Sequence, residues 1–283
     1  SLLKPHGELV AITPRSFCNG LYFKPFRHRL LKDMSIQRLH IFESRTAAFK
    51  HDNVLQENVI LHAVKDPRQA EVIRISQSAG GDNDTVHIRS YPAPDIVSLR
   101  DPEAFIHIPT SAQHLAARLQ VLQLEATLST LGLTVSTGRV VDFRAREHIR
   151  HEPEPDTCPL IYPCHFDGLF VAWPKEHSRK PNAIADNSQT GSLLIPAGIY
   201  VLTKRFTSKE EQRRVVACIY DPSRINAQQV GFENHLNYIH ANGKGLDMPL
   251  AKGLWAYLNS SALDLYFRQF NGHTQVNATD LRN

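Results

Sequence analysis

The run Tyr200-Val201-Leu202-Thr203-Lys204-Arg205-Phe206-Thr207-Ser208-Lys209 ends an apolar stretch in cations, hydroxyls and an aromatic ring, and Arg213 and Arg214 follow closely. Lysine, arginine, serine and threonine are side chains that contact phosphate, and an aromatic beside them can stack on a base. The same residues also suit an edge strand with a solvated charged turn, because Glu210 and Glu211 come next. A second basic stretch, from Val135 to Arg146, sets Gly138 between the hydroxyls of Ser136 and Thr137 and the cations Arg139, Arg144 and Arg146. Arginine to guanine is the commonest specific base contact, so this segment has the chemistry to read base edges; taken alone it reads as a polar hairpin. Phe49, in a polar loop between two strand-like runs, can plug a core or offer a stacking platform for an extruded base.

Other clusters carry less. Cys158, Cys164 and His165 lack the fourth ligand and tight spacing of a structural zinc site, so no metal is expected. Phe232-Glu233-Asn234-His235 and Tyr238-Ile239-His240 bring carboxylate and imidazole together with no nucleophile beside them, which reads as a polar network rather than acid–base machinery. Gly243-Lys244-Gly245 has neither the preceding strand nor the pattern of a phosphate-binding loop.

These groups must be held by regular elements. Residues 8–14, closed by Pro14, read as a buried strand, and Phe23, Phe26, Leu30 and Leu31 recur at helical spacing over 21–32. Residues 36–42, 58–64 and 71–76 read as three further strands, so the first part is an α/β sheet with a hairpin at its edge. Turn chemistry at 78–84 and the prolines Pro92, Pro94 and Pro102 predict an extended connection and a boundary between 65 and 100. A helix capped by Thr110 or Ser111 is predicted to run to about Leu131, short strands follow to 219, and two helical segments begin near Leu250 and Ser261. No internal repeat or low-complexity tract is present.

The chain has 283 residues and a formal charge of +4 with 15 neutral histidines. That length accommodates about two domains or one larger mixed domain. The longest apolar runs are a few residues, far short of the roughly 20 needed to span a bilayer, so no membrane partner is expected. Four cysteines without close pairing argue against a disulfide framework and for a reducing cytoplasm. The first five residues have no initiator Met and no signal-peptide pattern, so the chain is expected to be cut from a longer one.

Separated blocks resemble a known family. Leu2-Leu3-Lys4-Pro5-His6-Gly7-Glu8-Leu9-Val10-Ala11-Ile12-Thr13-Pro14-Arg15-Ser16-Phe17, then the helix over 21–32, then Phe42-Glu43-Ser44-Arg45 and Phe49 through Ile60, are similar to the later motifs of adenine-specific DNA methyltransferases of type II restriction–modification systems, in the gamma arrangement of the TaqI, PstI and BsuBI enzymes. The C-terminal stretch Phe232-Glu233-Asn234-His235-Leu236, then Leu254-Trp255-Ala256-Tyr257-Leu258-Asn259-Ser260-Ser261, then Phe267 through Leu281, is similar to the end of their target-recognition domains. The resemblance implies an α/β fold: the tail of a Rossmann-like class I methyltransferase sheet (1–66), a linker and edge strand (67–100), and a mixed α+β target-recognition domain (101–283). It implies double-stranded DNA as partner, a cognate restriction endonuclease activity in the same system, a bacterial or archaeal cytoplasm, and S-adenosylmethionine as cofactor. Adenine would be flipped from the stack, with Phe49 stacking on it and Arg139, Arg144, Arg146, Lys204, Arg205, Lys209 and His273 contacting DNA. The chain departs from the family in having no Asn-Pro-Pro-Tyr or Asp-Pro-Pro-Tyr and no Gly-rich strand-to-helix turn. Both are expected before Ser1, leaving this polypeptide unable to transfer methyl groups alone. The other readings are a stand-alone specificity module serving a separate catalytic chain, and the recognition part of a fused restriction–modification enzyme.

Overall fold

The computed structural model describes residues 3–42, 57–80, 85–98, 101–207, 210–272 and 274–282. The chain divides into two units: Ser1–Gln123 with Leu265–His273, and Leu124–Asp264 with Thr274–Asn283.

In the first unit, side chains that alternate in polarity fold into one five-stranded sheet. Its elements are β1 (Glu8–Pro14), α1 (Lys24–Asp33), β2 (Ser35–Phe42), β3 (Asn58–Val64), β4 (Val72–Ser78), β5 (His87–Pro92), α2 (Ala93–Ile96) and α3 (Ala112–Leu122). The spatial order is β1-β3-β2-β4-β5. β3 runs antiparallel to both β1 and β2, β2 and β4 are parallel, and β5 is antiparallel to β4. In β3 the period-2 pattern is plain: Val59, Leu61 and Ala63 face the core, with Asn58, Ile60 and His62 on the other face. Leu30 and Leu31 of α1 join Leu39, Ile41, Ile73 and Ile75 in that core. Arg27 on the same helix is fully buried, and its guanidinium donates to the carbonyls of Phe17 (3.1 Å), Gly20 (2.7 Å) and Glu103 (2.8 and 3.0 Å). Four bonds to three carbonyls meet the demand that a buried charge be hydrogen-bonded.

Three elements differ from the sequence expectation. β1 is an edge strand with Val10 and Ile12 exposed rather than a buried strand, because among the described residues only β3 pairs with it. Tyr91 and Pro92 end the paired strand β5 and Ala93–Ile96 form α2, rather than an extended connection, and Pro92 lacks an N–H just where pairing stops. α3, capped by the Ser111 hydroxyl accepting from the His114 amide at 3.2 Å, stops at Leu122 rather than near Leu131. Beyond it the Thr127 and Thr130 hydroxyls bond the backbone of their own turn at 2.8–3.1 Å, an alternative to helix. Leu122, Leu124 and Leu131 are exposed, so no core face rewards continuation.

The second unit contains β6 (Thr134–Thr137), β7 (Ile149–Arg150), β8 (Thr157–Ile161), β9 (Phe166–Asp167), β10 (Phe170–Val171), β11 (Ala183–Ala185), β12 (Leu194–Pro196), β13 (Tyr200–Lys204), β14 (Ala217–Tyr220), α4 (Pro222–Ile225), β15 (Gln229–Phe232), β16 (Leu236–His240), α5 (Met248–Leu258), the start of α6 (Ser261–Phe270) and α7 (Ala278–Arg282). They form a six-stranded sheet, β6-β16-β13-β14-β10-β9, and a five-stranded one, β12-β15-β8-β11-β7. Tyr200, Tyr220, Phe232 and Tyr238 pack ring on ring with centroids 5.3–6.4 Å apart, mostly edge to face. That geometry suits the quadrupoles of aromatic rings and makes a stiff core between the two sheets. No helix among the described residues is long and apolar enough to cross a membrane.

Candidate nucleic-acid interface

Three segments far apart in sequence meet at one end of the six-stranded sheet. β16 lies between β6 and β13, with Thr137 opposite Asn237 and Asn237 opposite Thr203, while Lys204 pairs with Leu236. Neighbouring strands lie about 4.8 Å apart, so the chain leaving β6 at Gly138-Arg139 and the chain leaving β13 at Arg205-Phe206 flank the turn Glu233-Asn234-His235 that feeds β16. The register thereby unites the two basic segments with the acid–imidazole segment.

The junction is closely stitched. The Gly138 amide donates to the Leu236 carbonyl (2.8 Å), Val140 to Phe232 (3.0 Å), Asn234 to Val140 (2.8 Å) and Arg205 to His235 (2.8 Å). A side chain at 138 would not fit: a Cβ there would sit 2.2 Å from the Glu233 carbonyl oxygen and 2.6 Å from that of Phe232. The Arg205 guanidinium donates to the Asn234 carbonyl at 3.0 Å and lies 5.7 Å from the centre of the Phe206 ring. Phe206, 41% exposed, tilts against the His235 ring at 4.9 Å. Behind them Thr207 accepts a bond from the fully buried Arg214, whose own amide donates to Asp264 at 2.7 Å, anchoring the segment that follows Phe206.

Glu233 is buried, yet both its oxygens accept from His235, one from the backbone amide at 2.9 Å and the other from Nδ1 at 2.5 Å. Burial raises the Glu233 carboxyl above its ordinary value, and the bonds from His235 pull against that rise. The Glu233 carboxyl is thus buried behind the half-exposed His235 ring.

Arg139 is exposed and reaches the Ser192 carbonyl at 3.3 Å. Arg144 and Arg146 are exposed farther along, with Arg144 over the ring of Phe143 at 5.5 Å. Phe143 is 76% exposed. Sequence reasoning did not single it out, although a phenylalanine between polar residues and outside any apolar period is a signal of that kind. It also set aside His235 as part of a polar network, because sequence spacing does not show which side of such a network faces solvent. Phe49, Lys209 and His273 lie outside the described residues.

Elsewhere, His165 is engaged at both nitrogens: Nδ1 accepts from the Tyr162 amide at 2.9 Å and Nε2 lies 3.0 Å from Asn182 Oδ1. No group of three metal-ligating side chains occurs among the described residues. Gly243 is the φ +81° position of a tight turn whose Ala241 and Lys244 bond each other at 2.9–3.0 Å. On the outer face of the first unit's sheet, Val10, Arg38, His40, Ile60, His62 and Val86 line a shallow hollow in which Arg38 and His40 both bond Ser76.

No family model matches the chain. It is 51% identical over 280 residues to the type II methyltransferase M.PstI of Providencia stuartii, covering 99% of this chain and 55% of that protein. It is 48% identical over 281 residues to the type II methyltransferase M.BsuBI of Bacillus subtilis, covering 99% and 56%. The chain is a homologue of type II methyltransferases of the PstI and BsuBI kind. It spans about half the length of these curated relatives. Among solved structures, the type IIL restriction-modification enzyme MmeI in complex with DNA superposes with a TM-score of 0.50 at 10% identity, over 98% of this chain and 38% of that one. At that identity the likeness is one of fold. This methyltransferase homologue is a mixed α/β chain with several mixed sheets.

Proposed function

We propose that the chain supplies DNA target recognition within a site-specific methyltransferase that moves a methyl group from S-adenosylmethionine to the exocyclic amine of adenine in duplex DNA. The observation that carries this reading is the convergence of Arg139, Lys204, Arg205, Phe206 and His235 at one end of the second unit's sheet, in a homologue of type II methyltransferases. Cations flanking an aromatic and an imidazole are the mixture a duplex calls for, phosphate contacts to position and polar groups to read base edges. Arg144 and Arg146 extend the cationic surface. By the family resemblance, Lys209 and His273 add to the DNA contacts and Phe49 stacks on the flipped adenine.

The first unit is read as the tail of a Rossmann-like sheet. Its β1-α1-β2 stretch is a crossover between parallel strands, since both run against β3, and that is the repeating unit of such sheets. The outer edge of β1, with Val10 and Ile12 more than 60% exposed, suits a sheet that continues into other polypeptide. The described residues of this unit do not suit S-adenosylmethionine. The β1–α1 connection is closed by the short turn Arg15–Cys18, all four residues of which are buried, and Arg15 spends its guanidinium on Glu57 and on the carbonyls of Arg268 and Gln269. The cofactor is then held by polypeptide beyond this chain.

Fluorescence-anisotropy titration of a randomised duplex over a salt series tests the reading. Each phosphate contact contributes about 0.9 to the slope of log affinity against log salt, so Lys204→Ala with Arg205→Ala is expected to flatten the slope by roughly 1 to 2. Absence of binding at low salt, or an unchanged slope in the double variant, overturns it.

A further inference from the structure

We propose, resting on the DNA-recognition reading above, that His235 is a specificity-determining residue whose Nε2 contacts a base edge of the target duplex, and that buried Glu233 is its positioning residue. A carboxylate accepts and cannot donate. The 2.5 Å contact with Glu233 Oε1 therefore places a hydrogen on His235 Nδ1 and fixes the plane of the ring, as a carboxylate does behind a metal-binding histidine. That leaves Nε2 as the free polar atom, and among the described residues it has no hydrogen-bond partner. The His235 side chain is 50% exposed while Glu233 is 1% exposed, so the pair presents its imidazole outward and its carboxylate inward.

The surroundings immobilise the ring further. Phe206 leans on it at 4.9 Å, the Arg205 amide holds the His235 carbonyl at 2.8 Å, and the Arg205 side chain holds the Asn234 carbonyl at 3.0 Å. Gly138 lies directly against the Glu233 backbone, so the turn cannot drift. A simple turn closure needs no buried carboxylate, whose desolvation is costly unless its partner earns it. Here both carboxylate oxygens serve His235, one holding its backbone amide and the other its half-exposed imidazole, the preorganisation that a recognition contact requires.

The test uses the full-length protein. A preferred duplex is selected from a pool with a randomised centre, and affinities for it and for each single base-pair variant are compared at fixed salt. His235→Ala and His235→Asn are expected to cut discrimination at one base pair by roughly 5- to 150-fold, far more than they weaken binding to random duplex. Glu233→Gln keeps the shape of the support but not its charge, and is expected to lower discrimination at the same base pair by less. A purely structural role would instead weaken binding to all sequences alike and lower the melting temperature. If the wild-type protein discriminates and His235→Asn leaves every base pair's discrimination unchanged, or lowers all of them uniformly, the inference is overturned while DNA recognition stands. If the wild-type protein shows no sequence preference, the recognition reading itself falls.

Discussion

Gly138→Ala is the substitution on which the geometry of the interface makes its firmest demand. The added Cβ would lie 2.2, 2.6 and 2.7 Å from three backbone atoms of Phe232 and Glu233, none of them the end of a flexible side chain. Ordinary contact between such atoms is about 3.5 Å, so the two segments must part by roughly 1 Å. The bonds Gly138 to Leu236, Val140 to Phe232 and Asn234 to Val140 are 2.8–3.0 Å long, and a retreat of that size breaks them. Three net bonds at about 0.5–1.5 kcal/mol each, offset by the roughly 0.4–1 kcal/mol gained from a stiffer unfolded chain, leave a cost of about 1–4 kcal/mol. Gly253 on α5 is the opposite case: nothing lies within 4 Å of its Cβ position, so Gly253→Ala is expected to stabilise by about 0.5–1 kcal/mol. The chain's two tryptophans, Trp173 and Trp255, both belong to the second unit, so tryptophan fluorescence during urea unfolding reports on that unit. Gly138→Ala should lower the midpoint and Gly253→Ala raise it, with unchanged m-values. A Gly138→Ala protein that unfolds at the wild-type midpoint would refute the close approach and with it the fixed placement of Glu233.

His107 is wholly buried beside Arg118, and burial, then that charge, hold its imidazole well below the ordinary value of 6.5. The native state therefore keeps it neutral while the unfolded chain takes up a proton, so first-unit stability should fall by up to about 1.4 kcal/mol per pH unit as pH drops below 6.5. His107→Gln should flatten that acid-side slope, as read by hydrogen exchange of first-unit amides; an equal slope in the variant would remove His107 as its source. Asp247 caps α5 by accepting from the Leu250 amide at 2.7 Å, so Asp247→Ala should cost about 1 kcal/mol in the tryptophan-detected transition, and a change under 0.3 kcal/mol would argue against the cap.

Local chemistry determined much of this chain from the sequence alone. Runs such as Asn58–Val64 declare themselves as strands because every second side chain is apolar, and Ser111 marks a helix start because its oxygen can take the first free amide. The types of residue in 135–146 and 200–209 have the chemistry for an anionic partner, although each stretch by itself reads as a polar hairpin or an edge strand with a solvated turn. What no local pattern could decide was that these segments lie together, because that depends on β16 pairing with β6 on one edge and β13 on the other, about a hundred residues from its first partner. The end of α3 was likewise open, since leucines 122, 124 and 131 look like a helical stripe until the fold offers them no core to cover. Only tertiary structure separates a His235 that hides in a polar network from one that a buried carboxylate holds out to solvent, because burial belongs to the packed chain and not to any residue in it.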